Sequence, residues 1–142
     1  MARMYLRKTL SGFVPVDEPS LEVFRKYKVG DTYRADVFKP RNYESHKLCF
    51  ALLQLTYQNQ ERWTDFDDFR KAVAMAAGHT RELLTVSGEV IMLPGSLSFD
   101  ALDEIEFSKV FGAMMSICAD ILGLTRPDLQ AEVDRYASEI AA

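Results

Sequence analysis

The sequence predicts an α+β domain, with antiparallel β-hairpins packed against a central buried helix and further amphipathic helices. Three observations predict it. Residues 41–57, RNYESHKLCFALLQLTY, are apolar around most of a helical circumference. Two runs of strand formers are each split by a short turn, Leu10-Ser11-Gly12 in one and Ser87-Gly88 in the other. Residues 103–122 carry a long helical apolar stripe that stops at Gly123.

In chain order, Met4 to Lys8 and Phe13 to Val16 flank the first turn as a hairpin. Pro15 confines its strand to an edge or a break, because proline donates no ladder hydrogen bond. Asp17 can cap a short helix with Pro19 in its first turn and Leu21, Val23, Phe24 and Tyr27 as its apolar residues. Gly30 closes that segment. Residues 31–38, DTYRADVF, alternate: Tyr33, Ala35 and Val37 share one side, and Thr32, Arg34 and Asp36 the other. Period two predicts a half-exposed strand, ended by Lys39-Pro40.

The central helix follows. At ~100° per residue, Leu48, Leu52 and Leu55 share one side, and Tyr43, His46, Phe50, Leu53 and Tyr57 a second. A polar strip runs through Lys47, Gln54 and Gln58, which predicts packing on more than one side. Its first turn is basic or polar, with Arg41, Asn42, Ser45, His46 and Lys47 where a helix offers unpaired N–H groups.

Residues 59–63 read as a polar linker. Thr64-Asp65-Phe66-Asp67 has the pattern of a capped, acidic helix start, with Phe66, Phe69, Val73 and Ala76 facing inward and Gly78 as the stop. His79 falls in a loop. Residues 81–86 and 89–93 form the second hairpin, and Pro94-Gly95 breaks it before a short continuation through Leu97 and Phe99. In the next helix Phe107, Val110, Phe111, Met114, Ile117, Cys118 and Ile121 share a broad face. Met114, Met115 and Leu122 widen that face beyond what one neighbour covers, which points to a second copy. Thr125 caps a last helix with Leu129, Val133, Tyr136 and Ile140 as its stripe.

A chain of 142 residues is most simply one domain, 1–142, and its last helix, about 126–140, is the element that could lie at the periphery. No apolar run approaches the ~20 residues of a membrane span, and the first residues lack the apolar core of a signal peptide. The expectation is a cytoplasmic protein. Net charge is −4, but it is unevenly spread: residues 1–48 hold ten Lys/Arg against six Asp/Glu. Such asymmetry suggests an anionic partner for the first part; a mixture of solvated surface charges explains it equally well.

No motif for catalysis or cofactor binding emerges. His46, His79, Cys49 and Cys118 are scattered rather than spaced as zinc ligands. No phosphate loop or GxGxxG occurs, and the acidic pairs at helix starts read as caps. We expect no enzyme activity, no metal and no cofactor. The cationic residues Arg34, Lys39, Arg41 and Lys47, with Ser45, His46 and the ring of Phe50, form the candidate DNA-binding set. Cations for phosphates and rings for bases are what single strands require; the competing reading puts the ring in the core and the cations in solvent.

Three segments then carry a resemblance: residues 29–57 (VGDTYRADVFKPRNYESHKLCFALLQLTY), residues 65–79 (DFDDFRKAVAMAAGH) and residues 96–115 (SLSFDALDEIEFSKVFGAMM). They resemble a family of small phage and prophage proteins with no assigned function, over roughly residues 4–122. The most diagnostic residues are Arg41-Asn42-Tyr43 with His46, Phe50, Ala51 and Leu52. More distantly, the layout is similar to the NinB (Orf) recombination proteins of lambdoid phages. That resemblance implies a homodimer that binds single-stranded DNA and helps load a recombinase. Its polar first-turn residue falls on Ser45, where Gln is usual, and its aromatic on Phe50, where Trp is usual. Its C-terminal DNA-contacting helix falls on residues 125–142, which here carry only Arg126 and Arg135 as cations.

The expected function is therefore that of a phage-derived, non-enzymatic single-stranded DNA-binding protein of the recombination-mediator type. The alternative is a phage protein that binds and inhibits a host protein, such as a bacterial defence or CRISPR component. The acidic residues 65–68 or 103–106 would then imitate nucleic acid. A small nuclease ranks below both.

Overall fold

The computed structural model describes residues 3–37, 39, 42–97, 99 and 102–141. The fold is α+β, with five helices and two antiparallel two-stranded hairpins among the described residues. The chain divides into two compact units, Met1–Val37 with Ala137–Ala142, and Phe38–Tyr136.

In the first unit, β1 (Leu6–Thr9) pairs with β2 (Gly12–Pro15), Arg7 opposite Val14 and Lys8 opposite Phe13. Pro15 ends its strand, as its missing N–H requires. Helix α1 (Glu18–Arg25) packs on β2 and starts at Asp17, whose carboxylate accepts the Ser20 N–H at 2.8 Å. The buried Ser20 hydroxyl in turn accepts the Tyr5 N–H at 2.7 Å, which ties the helix start to the hairpin.

The predicted strand over 31–38 does not form: residues 31–37 are irregular, and Phe38 and Pro40 lie outside the described residues. Alternation supplies a face but not a ladder, and an unpaired strand leaves its backbone groups to water. Tyr33 turns back instead. Its ring meets Tyr27 edge-on at 4.7 Å, and its hydroxyl accepts the Lys28 N–H at 3.1 Å.

The second unit holds the larger core. Helix α2 (Tyr43–Gln58) packs against α3 (Phe66–Ala76) and α4 (Glu104–Leu122), and buries His46, Cys49, Ala51, Leu52, Leu53 and Thr56. It is therefore the central, many-sided helix that its sequence predicts. Helix α3 buries Phe69, Val73 and Ala74, while Ala76 faces outward. The hairpin of β3 (Thr80–Leu84) and β4 (Val90–Pro94) contacts α3 through β4. No strand continues through Leu97 and Phe99. The Phe99 N–H donates to the Ser96 carbonyl at 3.2 Å, and Phe99 takes a left-handed φ of 55° with its side chain buried.

Helix α4 opens with a reciprocal cap: Asp103 accepts the Glu106 N–H, and Glu106 accepts the Asp103 N–H. Gly123 closes it in the left-handed region that glycine tolerates. Met114 and Met115 are both buried within this unit. The chain itself covers these two methionines, while Leu122 at the end of the same face stays half-buried. Helix α5 (Arg126–Ala141) begins with Thr125 Oγ1 accepting the Asp128 N–H. Its Leu129 and Val133 are fully buried, so its first half is part of the core; the Ile140 side chain lies outside the described set.

Candidate nucleic-acid interface

The start of α2 is built by Asn42. Its side chain accepts the Ser45 N–H at 3.0 Å, and its carbonyl accepts the His46 N–H at 2.9 Å. Asparagine at this position satisfies one of the donors that a helix start leaves unpaired. On the first two turns Tyr43, Lys47 and Phe50 share one side. Lys47 holds its ammonium 5.1 Å from the Tyr43 ring centre, a cation–π distance. Among the described residues no carboxylate pairs with Lys47, and the residue is half-buried.

Phe50 is also half-buried, with its ring edge-on to Phe66 at 5.8 Å. Phe66 then contacts Tyr57, Tyr57 contacts Phe69, and Phe69 contacts Trp63, all at 5.3–5.7 Å. Phe50 therefore belongs to a run of packed aromatic rings rather than standing alone.

His46 turns inward. It is 8% exposed, and its Nε2 lies 3.4 Å from the Leu97 carbonyl. The other histidine, His79, holds the adjacent carbonyl: its Nε2 is 2.6 Å from the Ser96 oxygen. Each imidazole thus meets one of two consecutive carbonyls on the loop between β4 and α4. This loop is absent from the residue set drawn from sequence alone. No periodicity marks it, because backbone oxygens contribute nothing to a side-chain pattern.

The remaining candidates are not part of this strip. Ser45 is half-buried and about 160° around the helix from Lys47. Lys39 is exposed upstream. Arg34 belongs to the first unit, where its largely exposed guanidinium is 3.7 Å from Asp36. Arg41 lies outside the described residues. Helix α2 therefore brings together Tyr43, Lys47 and Phe50 on one side, with His46 turned inward beside them.

The acidic helix starts are engaged locally. Asp65 caps α3 by accepting the Asp68 N–H. Asp67 is 2.5 Å from Arg70 and 2.9 Å from Lys71, and the Asp67 carboxylate pushes the Lys71 pKa up. Asp103 and Glu106 cap α4. Burial pushes the Cys118 thiol up to about 11, partly offset by the Thr56 hydroxyl, which is a setting for an inert thiol rather than a nucleophile. Among the described residues, no group of three or more His, Cys, Asp or Glu could hold a metal ion, and no single helix is long and apolar enough to cross a membrane.

Compared with known proteins, the chain matches no family model, no curated protein and no solved structure.

Proposed function

We propose that this protein is a phage-derived, non-enzymatic single-stranded DNA-binding protein of the recombination-mediator type, with a NinB-like fold, working as a homodimer in the bacterial cytoplasm. The observation that carries the proposal is the Tyr43–Lys47–Phe50 side of α2. A cation with no carboxylate partner among the described residues lies on one ring and one turn from a second. Phosphate would meet Lys47, with Lys39 and Arg41, upstream in the same unit, as further cations. A base would stack on the Tyr43 or Phe50 ring. His46 acts from beneath, by holding the Leu97 carbonyl.

The test is fluorescence anisotropy of a labelled oligonucleotide titrated with protein at several salt concentrations. Micromolar binding that weakens with salt, by ~0.7 in log–log slope for each phosphate neutralised, supports the reading. Absence of binding at micromolar protein, or binding indifferent to salt, overturns it. Mimicry of nucleic acid by an acidic face is less favoured, because Asp65, Asp67, Asp103 and Glu106 are engaged in caps and local pairs.

A further inference from the structure

The β3–β4 hairpin is apolar where a two-stranded sheet should be polar. Leu83, Leu84, Val86, Val90, Ile91 and Met92 are all at least 40% exposed. Together they leave on the order of 500 Å² of largely apolar surface, as much as the largest patches that stable monomers carry. Strand β4, Val-Ile-Met-Leu-Pro, is apolar at every position, the pattern of a strand covered on both faces. A two-stranded sheet by itself is marginal in water; α3 packs on β4, but the outer edge of β4 has no strand beside it among the described residues.

The two edges differ. Strand β3 carries Arg81 and Glu82, charges of the kind that protect an edge from pairing. Strand β4 carries none. The Gly95 N–H donates to the His79 carbonyl, and the Thr85 N–H to the Glu89 carbonyl. Ladder bonds alternate from residue to residue, and the register pairs Arg81 with Leu93 and Leu83 with Ile91. Ile91 and Leu93 therefore spend their backbone groups on β3. The N–H groups of Val90 and Met92, and the carbonyls of Val90, Met92 and Pro94, point away from it.

We infer that β4 is the self-association edge of this protein: it pairs antiparallel with β4 of a second copy about a two-fold axis at Met92. In that register Met92 faces its own counterpart, Val90 faces Pro94, and Ile91 faces Leu93. Met92 exchanges backbone bonds with itself in both directions, and Val90 N–H donates to the Pro94 carbonyl at each end. The missing Pro94 N–H removes only the outermost return bond. Every cross-strand pair is apolar and no charges oppose. The same operation on β3 centred at Glu82 would set Glu82 against Glu82. One edge contact used by both copies is the isologous, closed kind that makes dimers rather than fibres, and it pairs the β4 backbone groups that face away from β3. The inference gives a surface to the homodimer of the proposed function. It does not depend on DNA binding, and the two are measured separately so that either can fail alone.

Sedimentation velocity on the full chain at micromolar concentration tests it. The wild type sediments at twice the chain mass. Met92→Asp sets two carboxylates together in a desolvated strand pair and weakens association at least about 100-fold. Glu82→Lys, on the opposite edge, leaves association unchanged. Because Met92→Asp could disturb folding, Met92→Cys supplies a second readout. Directly opposed residues of a hydrogen-bonded pair stand ~5.5 Å apart at Cα, within the range a disulfide spans. Cys49 and Cys118 are buried, so position 92 presents the accessible thiol. Under mild oxidation Met92→Cys gives a cross-linked dimer, and Leu84→Cys does not. A monomeric wild type, a Met92→Asp protein that stays dimeric, or a dimer that fails to cross-link through position 92 each overturns the inference.

Discussion

Gly95 leaves the space that the His79 ring occupies. A Cβ on Gly95 would stand 2.6 Å from His79 Nε2, 2.8 Å from Cε1 and 2.9 Å from Cδ2. The ring cannot simply swing aside, because its Nε2 meets the Ser96 carbonyl and its face lies 4.8 Å from Phe99. Gly95→Ala should therefore destabilise the protein by about 1–3 kcal/mol, the range for overpacking a filled site. The same substitution in a His79→Ala background should cost at least ~1 kcal/mol less. Urea denaturation of the four proteins of this cycle measures the difference, and additive costs would show that the contact is not strained.

Ser20→Ala tests the tie between α1 and the first hairpin. It removes the acceptor for the Tyr5 N–H at a buried site. An orphaned backbone donor costs about 1–3 kcal/mol. Ser20→Thr keeps the hydroxyl and should lose less, provided the extra methyl is accommodated. Amide hydrogen exchange at Tyr5 should accelerate in the alanine variant and is the specific readout.

At α4, Asp103→Ala should cost about 1 kcal/mol, because the Glu106 N–H loses its acceptor. Glu106→Ala should cost less, since the Asp103 N–H that it leaves is exposed to water. Thermal unfolding of the two variants ranks them, and the reverse order would contradict the cap geometry.

The Cys118 thiol makes stability depend on alkaline pH. Its folded value, about 11, lies above the ordinary value of 9.0, so the folded state favours the neutral thiol. The unfolded chain then ionises first as pH rises. The contribution is whole below about pH 9, is lost progressively between about 9 and 11, and levels off above. Over that window it amounts to about 2 kcal/mol. Lysine and tyrosine titrations are common to the wild type and Cys118→Ala, so the difference between their urea midpoints at pH 8 and pH 10 isolates the thiol. The wild type should lose more.

Lys47→Ala should reduce the salt slope of oligonucleotide binding by ~0.7, one phosphate on a single strand, without changing thermal stability by more than about 0.5 kcal/mol. Lys71→Ala, whose ammonium already pairs with Asp67, should leave the slope unchanged. Equal slopes for Lys47→Ala and the wild type would remove Lys47 from the interface.

Most of the helices were legible from residues alone because their signals are local. Asp17, Asn42, Asp65, Asp103 and Thr125 cap within their own turns, and Gly78 and Gly123 stop helices through their own backbone angles. Both hairpins were legible for the same reason, since each closes on a short turn. The segment 31–37 was not, because its alternation matches a strand while strand formation depends on a partner that lies elsewhere in the chain or nowhere.

The sequence by itself determined an α+β chain, the central place of residues 43–58, and the pairing of cations with aromatics at that helix start. Tertiary structure alone decided how those side chains are used. It turned His46 inward onto a carbonyl 51 residues away, set Phe50 against Phe66, buried Met114 and Met115, and left Val90, Ile91 and Met92 of β4 exposed. The physical reason is that capping and turn energies depend on neighbours a few residues apart. Burial and hydrogen-bond choice depend on which distant surfaces arrive, and an apolar stripe looks the same whether a neighbour covers it or water does.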